Sequence, residues 1–410
     1  MKKLSKRFLA ILFTMVLVVS SFTACSSKPK DTTETTKTPD TTKTEATKTP
    51  EASGGTITIG QIVTSLTGDA AMYGDDIVNA AQMAADEVNA AGGVNGKNIE
   101  IVYLDDQASP QIALQSAQQL INETKPLVIL GPDWSGNTMA SMAVIAEAGI
   151  PQIVSSKSRK ITHGDVDSIF RVVASSHMVG STLASVAKEK GYKKVAIWYT
   201  NSEYGLGGGE GAKRACEELG LEVVAYETHN VGDNDFTAQI MNVINSGADC
   251  IIDYSIQVEG AKSLKQMREL GCDLPVLGGD AFITPDFAKL VGDEYMEGVI
   301  ATSAFVPVDP SETPQAFVEN YKKIFGTIPD DHAAPYYDSV KILAKVIGEV
   351  GEDKEAITEA LRNVKGYEGV QGDYTTDEWG NMIHGCKVVE YKSGAWNYVK
   401  TMPAIADFAD

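Results

Sequence analysis

Cysteine is scarce in this sequence and carries no metal pattern. Beyond Cys25 there are only Cys216, Cys250, Cys272 and Cys386, none in a CxxC pair. The five histidines, His163, His177, His229, His332 and His384, are scattered. No zinc-like spacing and no Ser-His-Asp set emerges, so neither a metal nor a cofactor is expected. Positive charge is scarce as well. Residues 1–54 hold 9 of the 35 basic and 5 of the 55 acidic residues, which leaves 26 and 50 beyond them, a net charge of −24. Such a surface repels nucleic acid and anionic lipid. Long apolar runs are missing too. The run from Phe8 to Val19, broken by Thr14, falls short of the roughly 20 residues that span a bilayer. From Ser26 to Gly55 there is no Val, Ile, Leu or aromatic residue at all. That Thr/Lys/Pro-rich stretch has nothing to bury and reads as a disordered tether.

What is present at the start is a processing signal. Lys2, Lys3, Lys6 and Arg7 form a basic head before the short apolar run, and small residues precede Cys25. That is the layout of a secretory signal peptide. Phe22-Thr23-Ala24-Cys25 resembles a bacterial lipobox, with Phe22 where Leu is usual. Residues 1–24 are therefore expected to be removed. Cys25 is expected to carry lipid, with residues 25–55 as the leash. The chain would then sit on the extracellular face of the cytoplasmic membrane. Cys216 on a helix pattern and Cys250 on a strand pattern read as small buried hydrophobes. A Cys250–Cys272 disulfide stays open as an alternative.

The body alternates strand and helix patterns. Thr56–Gly60 is a short strand. Ile77, Ala80, Ala81, Ala84, Val88 and Ala91 share one helical face over 76–91, stopped by Gly92-Gly93. Strands at 99–104, 127–130 and 151–154 alternate with helices at 111–121 and from Ser135. After Phe170–Val173 the rhythm restarts, with helices at 178–190, 209–219, 236–246 and 258–269. Strands at 195–199, 222–227, 250–254 and 275–278 lie between them. Helical patterns at 313–325, 336–349 and 354–364 follow, and then a strand-and-turn tail with a hairpin around Lys392-Ser393-Gly394. This pattern predicts an α/β protein with two doubly wound lobes. Ligands in such sheets bind beyond the carboxyl ends of strands, often on helix N-termini. That singles out 131–138, 155–159, 200–205, 255–257 and 278–282.

Those segments carry a resemblance. Ser65-Leu66-Thr67-Gly68 with Tyr73-Gly74, Ala90 to Gly96, Leu104-Asp105-Asp106, Ala148 to Pro151, Tyr204-Gly205, Asp235-Phe236-Thr237 and Gly298-Val299 stand in the order and spacing of one family. From Thr56 to Val399 the chain resembles the extracellular receptors of branched-chain amino-acid ABC importers, the type I periplasmic-binding fold. The resemblance implies two lobes joined by three crossings near Ala174, Ala304 and Val370. One lobe would be 56–174 plus 304–370, the other 175–303 plus 371–410. It also implies an ABC permease as partner, a monomeric receptor and no enzymatic activity.

The same resemblance implies the site. Ser135, backed by Gly136 and a helix start, matches the residue that holds the ligand's carboxylate; an ordinary helix cap is the structural alternative. Ser156 and Ser158 match the next carboxylate-binding segment. Tyr204 matches the second-lobe tyrosine that closes over the ligand. Asp280 matches the acceptor for its ammonium, and Tyr73 a first-lobe aromatic. Trp134, Lys157, Arg159 and Gln257 depart from the family pattern, so the side-chain pocket is expected to be altered. Lys157 reads either as a partner for an anionic group or, as the favoured reading, as a solvent-facing lysine. Two rivals remain. Gly207-Gly208-Gly209-Glu210-Gly211-Ala212 fits a GxGxxA dinucleotide pattern, though the six-residue step from Tyr199 to Gly205 is already too long for a tight phosphate turn. A sensor signalling through a membrane partner, or a receptor for an amide or organic acid, would look the same in sequence.

Overall fold

The computed structural model describes residues 54–67, 71–405 and 407, with the backbone alone for residues 71–73 and 285. The leader, Cys25 and most of the tether lie outside them. The first half runs β1 (Thr56–Val63), α1 (Ala71–Ala90), β2 (Asn98–Asp105), α2 (Pro110–Gln119), β3 (Val128–Leu130), α3 (Ser135–Glu147), β4 (Gln152–Val154) and β5 (Ile169–Arg171). Its five strands form one sheet in the order β2-β1-β3-β4-β5, parallel throughout. The three short strands β3, β4 and β5 are buried at every position, as a sheet covered on both faces requires.

The second series runs α4 (Ser176–Glu189), β6 (Lys194–Thr200), α5 (Glu203–Leu219), β7 (Glu222–His229), α6 (Thr237–Ser246), β8 (Cys250–Tyr254), α7 (Gln257–Glu269) and β9 (Val276–Gly278). Two short helices, α8 (Pro285–Val291) and α9 (Asp293–Met296), lead into β10 (Ile300–Ser303). None of these last three was expected from sequence. Helices α10 (Glu312–Phe325), α11 (Ala333–Val350) and α12 (Lys354–Arg362) return to the first lobe, where Tyr336, Leu343 and Leu361 join the core built by Ile57, Ile77 and Leu130. A small sheet, β11 (Tyr367–Glu368), β12 (Asp373–Thr376) and β13 (Met382–Ile383), precedes the final hairpin β14 (Cys386–Lys392) and β15 (Ala395–Met402). The larger sheet is ordered β15-β14-β10-β9-β8-β6-β7, with the hairpin antiparallel on one edge. Ser393 and Gly394 turn that hairpin with φ of 55° and 79°, both positive, as a two-residue type I′ turn demands.

Two expectations need correcting, and one open alternative is decided. Tyr374 and Met382 lie in the first lobe's core and Cys386 in the second's. Ile383 also packs on the second core, so the chain changes core after Met382, not near Val370. The reason is apolar: the small sheet has its own side chains to bury, and they point into the first core. Helix α5 starts at Glu203, six residues before the expected 209, because Ser202 caps it by accepting from the Gly205 N–H at 3.1 Å. The glycine run thus lies inside a helix, which removes the dinucleotide-loop reading. All four described cysteines are free and buried, so the Cys250–Cys272 bridge is not formed.

The glycines of α5 have a packing role. A Cβ on Gly208 would sit 2.1 Å from the Tyr254 ring, and one on Gly211 would sit 2.5 Å from the His177 backbone. Only glycine lets α5 lie this close to β8 and α4. Among the described residues no helix is long and apolar enough to cross a membrane.

Candidate functional site

The strand ends of both lobes meet around Asp280. This residue follows β9 through Gly279 and opens a short 3-10 turn, Asp280–Phe282. It is 5% exposed. Its Oδ1 accepts from the Tyr204 hydroxyl at 3.2 Å and from the Tyr254 hydroxyl at 3.5 Å. The two rings lie 4.5 Å apart, centre to centre. Burial, followed by the Asp280 charge, pushes both phenols well above the usual tyrosine value, so both remain O–H donors.

The first-lobe wall is built on β3, α3 and β4. Ser135 is the first helical residue of α3, and Trp134 occupies the capping position with no side-chain cap. The Ser135 hydroxyl accepts from the backbone N–H of Lys157 at 3.3 Å and of Ser158 at 3.0 Å. It therefore fastens the loop after β4 to the start of α3 and keeps its own hydrogen free to donate. Ser156 is turned inward, donating to the Pro132 carbonyl at 2.8 Å and bonding Thr138. Ser158 reaches the other lobe, donating to Glu203 at 3.4 Å, and Lys160 pairs with the same carboxylate at 3.0 Å. Trp134 is 38% exposed. Gln257 is buried and donates to Thr284 in its own lobe at 2.6 Å. Tyr73 falls in α1, and its side chain is outside what is described.

Lys157 overturns an expectation. It does not face solvent. Its ammonium crosses to the second lobe and donates to Asp280 Oδ2, with Asp331 Oδ2 3.9 Å away on the other side. Burial by itself would lower its pKa, but the Asp280 and Asp331 carboxylates outweigh burial and hold it above the usual lysine value. The favoured solvent-facing reading assumed a long polar side chain on an exposed loop. Three nearby carboxylates supply the buried partners that make burial tolerable.

The sequence reading missed Tyr254, Glu203 and the segment Asp330-Asp331-His332, just ahead of α11. His332 Nδ1 lies 3.2 Å from Asp330 and 3.3 Å from Asp331, and its Nε2 lies 3.7 Å from Asp133. Burial opposes a charge on His332, yet these three acids outweigh it and hold its pKa well above the usual histidine value. One ligand-type atom from each of the three side chains of the segment lies within 4.8 Å of the others. Ser303 at the end of β10 closes the ring, donating to Asp331 at 3.4 Å. An acidic pair and a histidine directly before a helical pattern was the available signal.

Two α/β lobes whose strand ends converge on one buried, charged cleft define a solute-binding protein of the type I periplasmic fold. The chain belongs to the periplasmic binding protein family, whose model matches residues 56–395. It is 29% identical to the leucine-, isoleucine-, valine-, threonine- and alanine-binding protein of Pseudomonas aeruginosa, over 77% of this chain and 85% of that one. Among solved structures it resembles the leucine-binding protein LivK of Thermotoga maritima. That match has 27% identity and a TM-score of 0.78 over 85% of this chain and 99% of that one. It also resembles LivJ of Streptococcus pneumoniae, solved with isoleucine, at 30% identity and a TM-score of 0.75 over 84% and 99%.

Proposed function

We propose that this chain is the solute-capturing component of an ABC importer, tethered outside the cytoplasmic membrane through lipid on Cys25, and that its solute is an α-amino acid or a close amine. The observation that carries the solute class is the opposition of the two walls. Ser135 keeps a hydroxyl hydrogen to donate at the start of the 13-residue helix α3, a favourable seat for a carboxylate. Asp280 faces it as an acceptor, which suits an ammonium. A molecule carrying both groups bridges the lobes and shuts them. The named relatives support the amino-acid class: one is named for leucine, isoleucine, valine, threonine and alanine, one for leucine, and one was solved with isoleucine.

Calorimetry over a panel of amino acids, their amides and simple organic acids tests this. One-to-one binding of an amino acid or amine is expected; binding confined to amides or organic acids removes the reading. Membrane attachment is tested separately. Cys25→Ser should leave the protein unprocessed or release it, and mature Cys25→Ser protein that stays with the membrane rules out the lipid anchor.

A further inference from the structure

The acceptor just assigned to a solute's ammonium is already holding one, and it is the protein's own. We propose that Lys157 is a resident ammonium that closes the cleft, and that a solute gains entry by placing a cationic amine on Asp280 in its stead. This deepens the reading of the cleft as the solute site and rests on it.

The geometry assigns each group its part. Asp280 is filled: Oδ1 takes the Tyr204 and Tyr254 hydroxyls and Oδ2 takes Lys157. A second ammonium reaches this carboxylate only if one of the three gives way. The phenols are fixed. Their rings pack on each other. A Cβ on Gly208 or Gly279 would lie 2.1 or 2.9 Å from the Tyr254 ring, so that ring has no room to shift. Lys157 is the movable partner. It hangs on a flexible four-carbon stem, and a second acceptor, Asp331 Oδ2, stands 3.9 Å from its Nζ. Moving to Asp331 keeps the lysine charge paired throughout. The exchange is balanced: one ammonium leaves Asp280 for Asp331 and another takes its place.

Three further observations agree. The Lys157–Asp280 bond runs from lobe to lobe, so it closes the cleft with the chain's own groups. The cavity bordered by Lys157, Asp280, Ser303 and Asp331 measures about 10 Å³, roughly the space of one water, so an amino acid enters only by prising the walls apart. The charges around it are unequal. Lys157 and His332 face four carboxylates, Asp133, Asp280, Asp330 and Asp331. An incoming cation reduces that imbalance, whereas an incoming anion increases it. The four carboxylates thus favour cationic amines over neutral or anionic isosteres, and Lys157, by competing for Asp280, sets how strongly an amine must bind to enter.

The test restores the ammonium from outside. Lys157→Ala removes the stem beyond Cβ, which n-propylammonium matches atom for atom. Small-angle scattering should show Lys157→Ala with a larger radius of gyration than wild type. Millimolar n-propylammonium should bring it back, and n-propanol should not. The proposal is overturned if Lys157→Ala stays as compact as wild type, or if n-propanol restores compactness equally well. Lys157→Met guards against misfolding: it keeps the stem's volume, loses only the charge, and should also expand. In parallel, leucinamide, an amine without a carboxylate, should bind Lys157→Met at least tenfold tighter than wild type, because its competitor is gone. Weaker binding overturns the proposal. If amino acids bind neither protein while n-propylammonium still closes Lys157→Ala, the amino-acid reading fails and the ammonium seat stands.

Discussion

The two walls of the cleft are built on different principles. The second-lobe wall is held by packing. Tyr204 and Tyr254 pack ring against ring at a tilt of 33°, α5 presses on Tyr254 through glycine, and a Cβ on Gly278 would lie 2.4 Å from the Phe282 ring. Asp280 therefore sits on a surface with no freedom to move. The first-lobe wall is held by charge and hydrogen bonds. Ser135 ties down the loop after β4, and Lys157, Asp133, Asp331 and His332 form a chain of ions. Packed contacts are short-ranged and fail abruptly, whereas ion pairs can exchange partners at modest cost. One rigid and one adaptable wall is what a receptor needs if it must recognise one group strictly and also open and close.

The sharpest way to break this comparison is to disturb the rigid side. Gly208→Ala places a Cβ against the Tyr254 ring, with the helix backbone on one side and the sheet on the other. Overpacking of this kind costs about 1–3 kcal/mol, occasionally more, and the upper end is expected because neither element can recoil. Denaturant melts measure it. A loss below about 0.5 kcal/mol would mean that Tyr254 has space to move.

A smaller effect is expected in binding. Asp280→Ala should weaken an amino acid at least tenfold, about 1.4 kcal/mol, because it leaves a cationic amine without its partner. Tyr204→Phe should cost less, since Tyr254 still donates to the same oxygen. Calorimetry on the two variants ranks them. Equal losses would show that the phenols, not the carboxylate, carry recognition.

The rigid wall was largely legible in sequence. Position after a strand singled out the segments 200–205 and 278–282, and the family resemblance, not local pattern, picked Tyr204 and Asp280 within them. Tyr254 escaped because it ends a strand and reads as core; only the tertiary approach of α5 turns its hydroxyl toward Asp280. The adaptable wall was legible only in part. Ser135 was placed by its position at a helix start. Its role as a tie for the Lys157–Ser158 backbone depends on a neighbouring loop that no local pattern specifies. Lys157 was misjudged because its partners, Asp280 and Asp331, are 123 and 174 residues away in the chain. Charge pairing over that distance follows from the fold and leaves no periodic trace. The last crossing was misplaced for a similar reason: the β-strand pattern of 373–383 says that it pairs, not which core it covers.

The smallest effect near neutrality, and the one most specific to the adaptable wall, is a dependence on pH. His332 faces Asp330 and Asp331 from its own segment and Asp133 from the loop ahead of α3, with Lys157 beyond Asp331. Burial works against its charge, but the three acids outweigh it and raise its pKa well above 6.5. The sign follows from linkage. A group whose pKa is raised on folding binds its proton more tightly in the folded state, so its stabilisation is complete below the unfolded value near 6.5 and is lost as pH rises through the folded value. Stability measured from pH 6.5 upward should therefore decline with a slope that His332→Gln removes. The Tyr204 and Tyr254 phenols contribute no such slope in this range, since both are held protonated; Asp253 beside Tyr254, which burial raises to about 7, contributes equally to both proteins and cancels in the comparison. Denaturant melts across pH in wild type and His332→Gln decide the matter. Parallel curves for the two proteins would mean that the acids around His332 do not hold its proton, and the charged wall would then owe its order to the Lys157 ion pairs and the Ser135 hydrogen bonds.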